Sequence, residues 1–281
     1  MKHSTYHSHN HYCDGKYEPE EYLKAAIDLG LTGFGFSSHV PLPFRNKWSM
    51  KEADLAKYLQ EIRNLKAQYK NRIEVYVGLE VDYVPDMVGP SDPKIKQLGL
   101  DYSIGSVHYV DQLEDGTHWE IDGTRTDFLK GFKEIFQGDG KNVIHRYLAL
   151  TREMVDSQET QIVGHLDKIK IHNKAESPLF SDEDKWYQDK VEETLSIIKE
   201  RGAIVEVNTR GMYKKLTNEP YPGKMILKRI KQRNIPIMLN SDSHHPREIT
   251  GSYPEAIELL RELGFKELMA LKNNEWQSVA L

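Results

Sequence analysis

The sequence predicts an α/β barrel in which parallel strands alternate with helices. Short apolar runs rich in branched and aromatic residues alternate with longer segments of helical period, as in parallel βα architectures. Seven or eight such units in 281 residues approach the usual size of a (β/α) barrel. Histidines and acids also recur at the predicted strand ends, where barrel enzymes place their catalytic groups. We therefore expect one domain over residues 1–281.

Seven apolar runs predict strands in chain order, and a weaker run near the end of the chain suggests an eighth. Each run has the length of a strand buried in a parallel sheet. The predicted strands are residues 5–9, 33–38, 73–80, 102–108, 161–165, 203–208 and 235–240, with 268–271 as the weak eighth.

Segments of helical period follow most of these strands. Pro19 lies in the first turn of the first helix, and Ser181 is the expected N-cap of a later one. The predicted helices are residues 19–29, 51–69, 182–201, 225–233 and 254–263.

Two predicted loops, residues 82–101 and 109–125, are longer than ordinary βα connections. Loops of this length in a compact barrel are commonly functional, so we expect them to form a rim over the site. A doubly wound α/β fold is the main alternative architecture. It is disfavoured because no glycine-rich phosphate loop follows the first strand.

Charge and hydropathy exclude several classes of function. The net charge is -5, and the mixed run around residues 224–233 is the exterior of a helix, because Ile226, Leu227 and Ile230 recur in it at helical spacing. We expect no nucleic-acid partner. No apolar stretch approaches the roughly 18 residues that span a bilayer, and the first residues lack the apolar region of a signal peptide. We expect a soluble, cytoplasmic protein without a membrane partner.

The single cysteine, Cys13, excludes a disulfide within the chain and fits a reducing compartment. One thiol without a partner is usually a small packed side chain. We therefore do not expect Cys13 to be a ligand or a nucleophile.

Candidate metal ligands follow the predicted strands. His7 and His9 form an H-x-H pair, and Asp242 and His244 form a D-x-H pair. Because alternate residues of a strand face the same side, each pair directs two ligands toward one volume. The other candidates after successive strands are Asp14, His39, Glu80, His108 and His165.

The number and chemistry of these donors indicate more than one metal. A lone histidine at a strand end is usually a hydrogen-bonded structural residue, but donors here end six of seven strands. Nine donors exceed the roughly four of one zinc ion and suit two or three metals. Nitrogen and oxygen donors without thiolate fit zinc, manganese or ferrous iron.

A cluster of divalent cations attracts phosphate and lowers the pKa of a bridging water, which supplies a hydroxide for in-line attack on phosphorus. A serine or cysteine nucleophile is then unnecessary, and the G-x-S-x-G motif is absent. The pattern therefore favours a metal-dependent phosphatase acting on a small phosphate monoester.

Six motifs resemble the PHP (polymerase and histidinol phosphatase) family, and more narrowly its histidinol-phosphatase branch. The resemblance extends from His7 to about Gly264. It is carried, in this order, by YHSHNHYCDG, SSHVP, GLEVDY, GSVHYV, GHLD and NSDSHHP.

The resemblance implies a distorted TIM-like (β/α)7 barrel with a trinuclear centre of Zn, Mn or Fe. Many family members have histidine at the position of Asp14, which bears on metal preference. The implied first metal is held by His7, His9, Glu80 and Asp242, the second by Glu80, His108 and His165, and the third by Asp14, His39 and His244.

The implied reaction is hydrolysis of L-histidinol phosphate to L-histidinol and phosphate, a late step of histidine biosynthesis, by a metal-bridging hydroxide. Asp242 is the first candidate to shuttle the proton of that hydroxide, and His39 the candidate to protonate the leaving alkoxide. Arg210, after the sixth strand, is a candidate phosphate ligand. In the acidic loop, Trp119 and Glu120 are candidates to bind the cationic part of the substrate. Arg45, Lys170 and His172 are weaker phosphate candidates.

Three alternatives stay open. The substrate of a PHP-type phosphoesterase could be another small metabolite or a nucleotide, although polynucleotides would require a basic track. The chain could also be a metal-binding PHP module without activity. A different amidohydrolase barrel also uses H-x-H, usually with a bridging lysine. The oligomeric state is left open.

Overall fold

The computed structural model describes residues 3–174, 176 and 178–281. Seven strands form one parallel sheet in the order β1-β2-β3-β4-β7-β8-β9, and two antiparallel hairpins, β5–β6 and β10–β11, accompany it. The strands are β1 Ser4–Thr5, β2 Gly33–Phe36, β3 Glu74–Asp82, β4 Tyr102–Ser106, β5 Tyr109–Gln112, β6 His118–Glu120, β7 Ile162–Val163, β8 Ile204–Asn208, β9 Ile237–Asn240, β10 Glu267–Lys272 and β11 Glu275–Ala280.

The helices pack their apolar sides against the outside of this sheet, as the amphipathic patterns require. Two short 3₁₀ helices, Lys168–His172 and Pro246–Glu248, follow β7 and β9. The α-helices are α1 Pro19–Asp28, α2 Glu52–Tyr69, α3 Pro93–Lys96, α4 Arg125–Glu134, α5 Gly140–Ser157, α6 Lys185–Arg201, α7 Arg210–Tyr213, α8 Lys224–Gln232 and α9 Tyr253–Glu262.

The sheet curls into a nearly closed barrel, and the seam between β1 and β9 completes it. A parallel bridge joins Ser8 to Ser243, where the backbone N–H of His9 donates to the carbonyl of Ser243 at 2.8 Å. Lower on the seam, the Asn240 side-chain carbonyl accepts from the backbone N–H of Tyr6 at 2.8 Å. At this point of the seam, the Asn240 side chain therefore takes the place of a backbone carbonyl in the hydrogen bonding between the strands. The predicted seven-stranded TIM-like barrel is confirmed.

The weak eighth strand exists but does not belong to the barrel. β10 pairs only with β11, and this hairpin covers the amino-terminal end of the barrel. The backbone N–H of Leu271 donates to the Tyr6 hydroxyl at 2.7 Å, and the Tyr76 hydroxyl donates to the Leu271 carbonyl. Trp276 packs edge-on against Tyr6, with ring centroids 5.1 Å apart. The hairpin thus seals the end opposite the predicted ligands.

Several predicted boundaries were wrong. Ser181 is not the N-cap of α6; that position belongs to Asp184, and the Ser181 hydroxyl accepts from the backbone N–H of Glu183 in the preceding turn. Two unpredicted helices, α4 and α5, fill the space between β6 and β7. The two long loops contain α3 and the β5–β6 hairpin. Within the ranges described above, no helix is long and apolar enough to cross a membrane.

The barrel interior is filled by Tyr102, whose ring requires glycine on two neighbouring strands. Its hydroxyl oxygen lies 2.5 Å from the carbonyl oxygen of Tyr6 and 3.0 Å from that of Phe36, within hydrogen-bond distance of both acceptors. A Cβ on Gly78 would lie 2.4 Å from the Tyr102 ring, and one on Gly35 would lie 2.4 Å from its hydroxyl. Both glycines therefore serve close packing.

We expect Gly78→Ala to destabilise the fold by about 1–3 kcal/mol, because the added methyl group overpacks a buried aromatic ring. Urea denaturation of the two proteins measures the difference in free energy of unfolding. Gly123→Ala is the control, since its Cβ comes no closer than 3.3 Å to a neighbour. Equal midpoints for Gly78→Ala and the parent chain would contradict this account of the core.

Candidate metal centre

Glu80, on β3, lies at the centre of the histidine cluster. Its Oε2 is 3.1 Å from His7 Nε2, 3.1 Å from His39 Nδ1 and 3.4 Å from His9 Nε2. Its Oε1 is 3.0 Å from His165 Nε2 and 3.6 Å from His108 Nε2. The carboxylate thus lies between two groups of imidazoles contributed by different strand ends.

Two further carboxylates belong to the cluster, of which Asp242 is buried and Asp14 is partly exposed. Asp242 Oδ1 lies 3.3 Å from His9 Nε2 and 3.5 Å from His244 Nδ1. Asp14 Oδ2 lies 3.0 Å from His244 Nε2, and its Oδ1 is 3.9 Å from His39 Nε2. The structure therefore brings all nine predicted donors into one continuous cluster.

The cluster has the properties of a site for divalent cations. His7 Nε2, His9 Nε2, His39 Nδ1 and Asp14 Oδ1 are buried atoms for which no described residue supplies a hydrogen bond of acceptable geometry, although carboxylate oxygens lie near the three nitrogens. Such atoms cost about 1–3 kcal/mol each unless a partner is present, and a cation would satisfy several together. Among the described residues of this cluster, four sets have ligand atoms within 4.8 Å of one another: His9, Asp14, His39 and His244; His7, His165 and Asp242; His7, His9 and Glu80; and His39, Glu80 and His108.

Two candidate ligands have backbone conformations that favour glycine. Asp242 has a φ of 53° and His165 a φ of 20°. Left-handed backbone in a non-glycine residue costs about 1–3 kcal/mol and is concentrated at functional sites. At these two strand ends the chain turns sharply, which directs both side chains into the cluster.

The buried charges favour ionised carboxylates. Burial alone would raise the pKa of Glu80, but His7, His39 and His108 lower it well below its usual value. The pKa of Asp242 is lowered similarly, against the effect of burial, by His7, Arg210 and Lys168. Both carboxylates are therefore available as anionic ligands.

Two buried acids that the sequence did not single out fix histidine orientations. Glu206 Oε1 lies 2.5 Å from His7 Nδ1, and Glu206 Oε2 accepts from the backbone N–H of His165 at 2.8 Å. Asp82 Oδ1 lies 2.7 Å from His108 Nδ1. Each acid holds one ring nitrogen so that the other, Nε2, faces Glu80.

We expect Glu206→Gln to lower metal affinity by about 10–100-fold, because the amide holds His7 and His165 less firmly than the carboxylate. Isothermal titration with Zn²⁺ and Mn²⁺ measures the change, and circular dichroism checks the fold. The matched control is Glu192→Gln, an acid on the outer face of α6 that pairs with Arg229 and Arg233. An unchanged dissociation constant would remove the orienting role of Glu206.

A cavity of about 250 Å³ adjoins the cluster, and two cationic side chains are among the residues that line it. Arg210 Nη1 donates to the carbonyl of Asp242 at 2.8 Å and lies 2.6 Å from His244 Nδ1. Lys168 Nζ lies 2.6 Å from Asp122 Oδ2 and 3.9 Å from Asp242 Oδ2. Arg210 was a predicted site residue, whereas Lys168 was not.

Of the two residues predicted to bind the cationic part of the substrate, Glu120 lines the cavity and Trp119 does not. Glu120 lines the cavity, and its Oε2 accepts from Trp48 Nε1 at 2.7 Å. Trp119 does not line this cavity: its side chain is 3% exposed, and its Nε1 donates to the carbonyl of Asp127 at 3.2 Å. Trp48 and Tyr221 line the cavity, and the sequence indicated neither of them.

The weaker phosphate candidates also lie away from the lining of this cavity. The Lys170 ammonium donates to the carbonyl of Pro220 at 2.6 Å. His172 Nε2 lies 2.8 Å from the carbonyl of Ile121, with its ring stacked on Phe128. Lys170 and His172 thus make structural contacts, and Arg45 is exposed.

Comparisons with known proteins agree with this geometry. The model of the PHP domain family matches residues 5–210. The chain is 29% identical over 249 residues to a protein of Deinococcus radiodurans named probable histidinol-phosphatase, covering 88% of this chain and 87% of that one. It is 26% identical over 253 residues to the histidinol-phosphatase of Bacillus subtilis, covering 85% and 91%.

A crystal structure of histidinol phosphate phosphatase from Lactococcus lactis has a similar fold. The TM-score is 0.73 at 24% sequence identity, over 98% of this chain and 99% of that chain. That protein was crystallised in a complex with zinc, L-histidinol and phosphate.

Proposed function

This chain belongs to the PHP domain family, and on that premise we propose that it is a metal-dependent phosphatase that hydrolyses L-histidinol phosphate to L-histidinol and phosphate. The relatives named histidinol-phosphatase align over most of its length. The reaction would be a late step of histidine biosynthesis.

One observation carries the proposal: five imidazoles converge on the two oxygens of Glu80 at 3.0–3.6 Å in a buried cluster. Uncompensated buried groups of this kind are costly, and divalent cations are the partners that suit nitrogen and carboxylate donors. The proposed ligands of three ions, Zn, Mn or Fe, are His7, His9, Asp14, His39, Glu80, His108, His165, Asp242 and His244.

Bound divalent ions would supply Lewis-acid chemistry, which activates water and neutralises charge on phosphate. The protein's own contribution starts with phosphate binding. Arg210 lines the cavity with its guanidinium, whose planar donors suit phosphate oxygens. Lys168, whose ammonium lies 2.6 Å from Asp122 Oδ2, also lines the cavity. Together the two cations hold a phosphate group above the donor cluster.

Proton transfer is assigned to groups at the floor of the cavity. Asp242 is ionised, because nearby cations lower its pKa, and it is the proposed acceptor of the proton from the attacking water. His39 is the proposed donor to the leaving alkoxide. Burial lowers the pKa of His39 well below its usual value, which favours the neutral ring before substrate binds.

The test combines metal analysis of the purified protein with a phosphate-release assay. L-Histidinol phosphate, a nucleoside bisphosphate and single-stranded DNA are compared side by side. We expect two or three metals per chain and a clear preference for L-histidinol phosphate. Preference for the nucleotide would assign a different substrate, and three bound metals with no phosphatase activity would favour a binding module.

A further inference from the structure

A second cavity, of about 510 Å³, lies beside the one that adjoins the donor cluster. Its walls come from the segment before α2, the β5–β6 hairpin and the first half of α4. Among the described residues, Glu120 alone lines both cavities. The described lining of the second cavity includes none of the nine candidate metal ligands. This second cavity is therefore a separate space, which the proposed phosphatase reaction does not use.

Three cationic side chains line this second cavity. Arg45 and Lys47 come from the segment between β2 and α2, and Lys130 comes from α4. All three are exposed. Within the described part of the chain, none of their side chains forms an ion pair or a hydrogen bond. Their charges are therefore available to a ligand.

The two acids of the same lining are already hydrogen-bonded. Glu120 Oε2 accepts from Trp48 Nε1 at 2.7 Å, and Asp127 Oδ2 accepts from the Thr124 hydroxyl at 2.7 Å. The lining thus combines three cations with two acids, although the whole chain carries a net charge of -5. A local excess of positive charge in an acidic protein favours an anionic ligand.

A flat pair of rings lies in the same lining. Phe44 and His118 stack with their centroids 3.7 Å apart and an interplanar angle of 14°. Tyr109 meets Phe44 edge-on, with centroids 5.0 Å apart. Burial lowers the pKa of His118, which favours its neutral ring. An aromatic ligand can pack against these rings, while guanidinium and ammonium groups attract its anionic group.

We infer that this second cavity binds a small organic anion that carries a flat aromatic ring, at a site separate from the metal centre. Phe44 and His118 supply the packing surface, and Arg45, Lys47 and Lys130 supply the positive charge. The occupant contacts both the segment before α2 and the β5–β6 hairpin. The inference goes beyond the proposed phosphatase function and does not depend on its substrate.

Isothermal titration of the metal-loaded protein with three probes tests this site. 1-Naphthalenesulfonate is a flat anion, 1-naphthalenemethanol has the same ring without the charge, and methanesulfonate has the charge without the ring. We expect one molecule of 1-naphthalenesulfonate to bind per chain, at least about tenfold more tightly than either other probe. Saturating inorganic phosphate should leave its dissociation constant within about twofold, because phosphate would occupy the metal centre instead.

Variants of the lining locate the bound probe. Arg45→Gln/Lys47→Gln should weaken the binding of 1-naphthalenesulfonate by about tenfold, because it removes two of the three cations. Phe44→Ala should weaken it by a similar factor through loss of a packing ring. The matched control is Lys70→Gln/Lys228→Gln, which removes the same charge from two exposed lysines outside this cavity. Circular dichroism checks the fold of each variant.

Several outcomes would overturn the site. These are absence of binding, equal affinity for the three probes, displacement of 1-naphthalenesulfonate by phosphate, and equal dissociation constants for Arg45→Gln/Lys47→Gln and its control. Because the titrations involve no turnover, they test the second cavity whether or not the protein hydrolyses L-histidinol phosphate.

Discussion

Glu80→Gln is expected to lower kcat/KM for phosphate ester hydrolysis by about 10³-fold, the effect of losing some 4 kcal/mol of transition-state stabilisation. The reason is the position of this carboxylate, whose two oxygens are the shared neighbours of five imidazoles. An amide has the same shape but no negative charge, and its NH₂ group faces ring nitrogens that should bind cations.

The metal content of Glu80→Gln should fall with its activity. Elemental analysis is expected to show at least one ion fewer per chain than in the parent, while circular dichroism remains unchanged. Glu74→Gln is the matched control, because Glu74 begins the same strand but is exposed and hydrogen-bonded to Tyr76. Full activity in Glu80→Gln would remove the central element of the proposed site.

Removal of the metals is expected to have the second large effect. After dialysis against a chelator, activity should fall below about 1% of the starting value, and the thermal midpoint should fall by about 10 °C. A ligand present at 1,000 times its dissociation constant stabilises a protein by about 4 kcal/mol, which for a chain of this size corresponds to several degrees per kcal/mol.

Re-addition of ions provides the control. Zn²⁺, Mn²⁺ or Fe²⁺ should restore both activity and thermal midpoint, because these ions accept imidazole ligands, whereas Mg²⁺ prefers oxygen and should restore neither fully. Scanning calorimetry and the phosphate-release assay measure the two quantities on the same samples. Full activity with fewer than two ions per chain would contradict the multi-metal mechanism.

The donor cluster was predictable because parallel strands place their carboxyl ends at one face. Any residue that follows such a strand points toward the same volume, so His39, His108 and His165 meet although they are distant in the chain. Alternation along a strand accounts for the H-x-H pair in the same way. These are local rules, and they apply wherever the strands are assigned correctly.

The acids that orient the histidines, Glu206 and Asp82, were harder to predict from the sequence, although each has a feature that indicates its role. Glu206 is the one charged residue in the fully buried strand IVEVN, and Asp82 lies two residues after Glu80 on the same face. A buried charge requires a partner, which for both acids is a ring nitrogen of a candidate ligand. Which histidine becomes the partner of each acid depends on which strands are neighbours, and the periodicity of the sequence does not specify that.

Strand geometry explains why the predicted Trp119 does not line the cavity, whereas Trp48 does. Neighbouring residues of a strand point to opposite faces, so Trp119 and Glu120 of β6 cannot both face the cavity. Glu120 faces inward, and Trp119 packs against Phe128 and Phe136. Trp48 comes from a different loop, and its approach to Glu120 depends on the tertiary fold alone.

The sequence also contains an N-cap residue for helix α5, which was not predicted. The Asp139 side chain accepts from the backbone N–H groups of Lys141 and Asn142, an N-cap pattern that was present in the sequence. Conversely, β1 and β7 contain only two residues each, although runs of five residues were predicted. Apolar runs therefore overestimate strand length where the backbone turns toward a site.

The seam between β1 and β9, where the barrel closes through an isolated backbone bridge, lies directly beside the donor cluster. The contacts between its two edges include one backbone bridge and the Asn240 side chain. His7 and His9 follow one edge, and Asp242 follows the other. Metal ions bound by ligands from both edges would stabilise the closed seam of the barrel. Exchange of the His9 amide hydrogen with deuterated solvent, measured with and without metal, would then report site occupancy directly from the backbone.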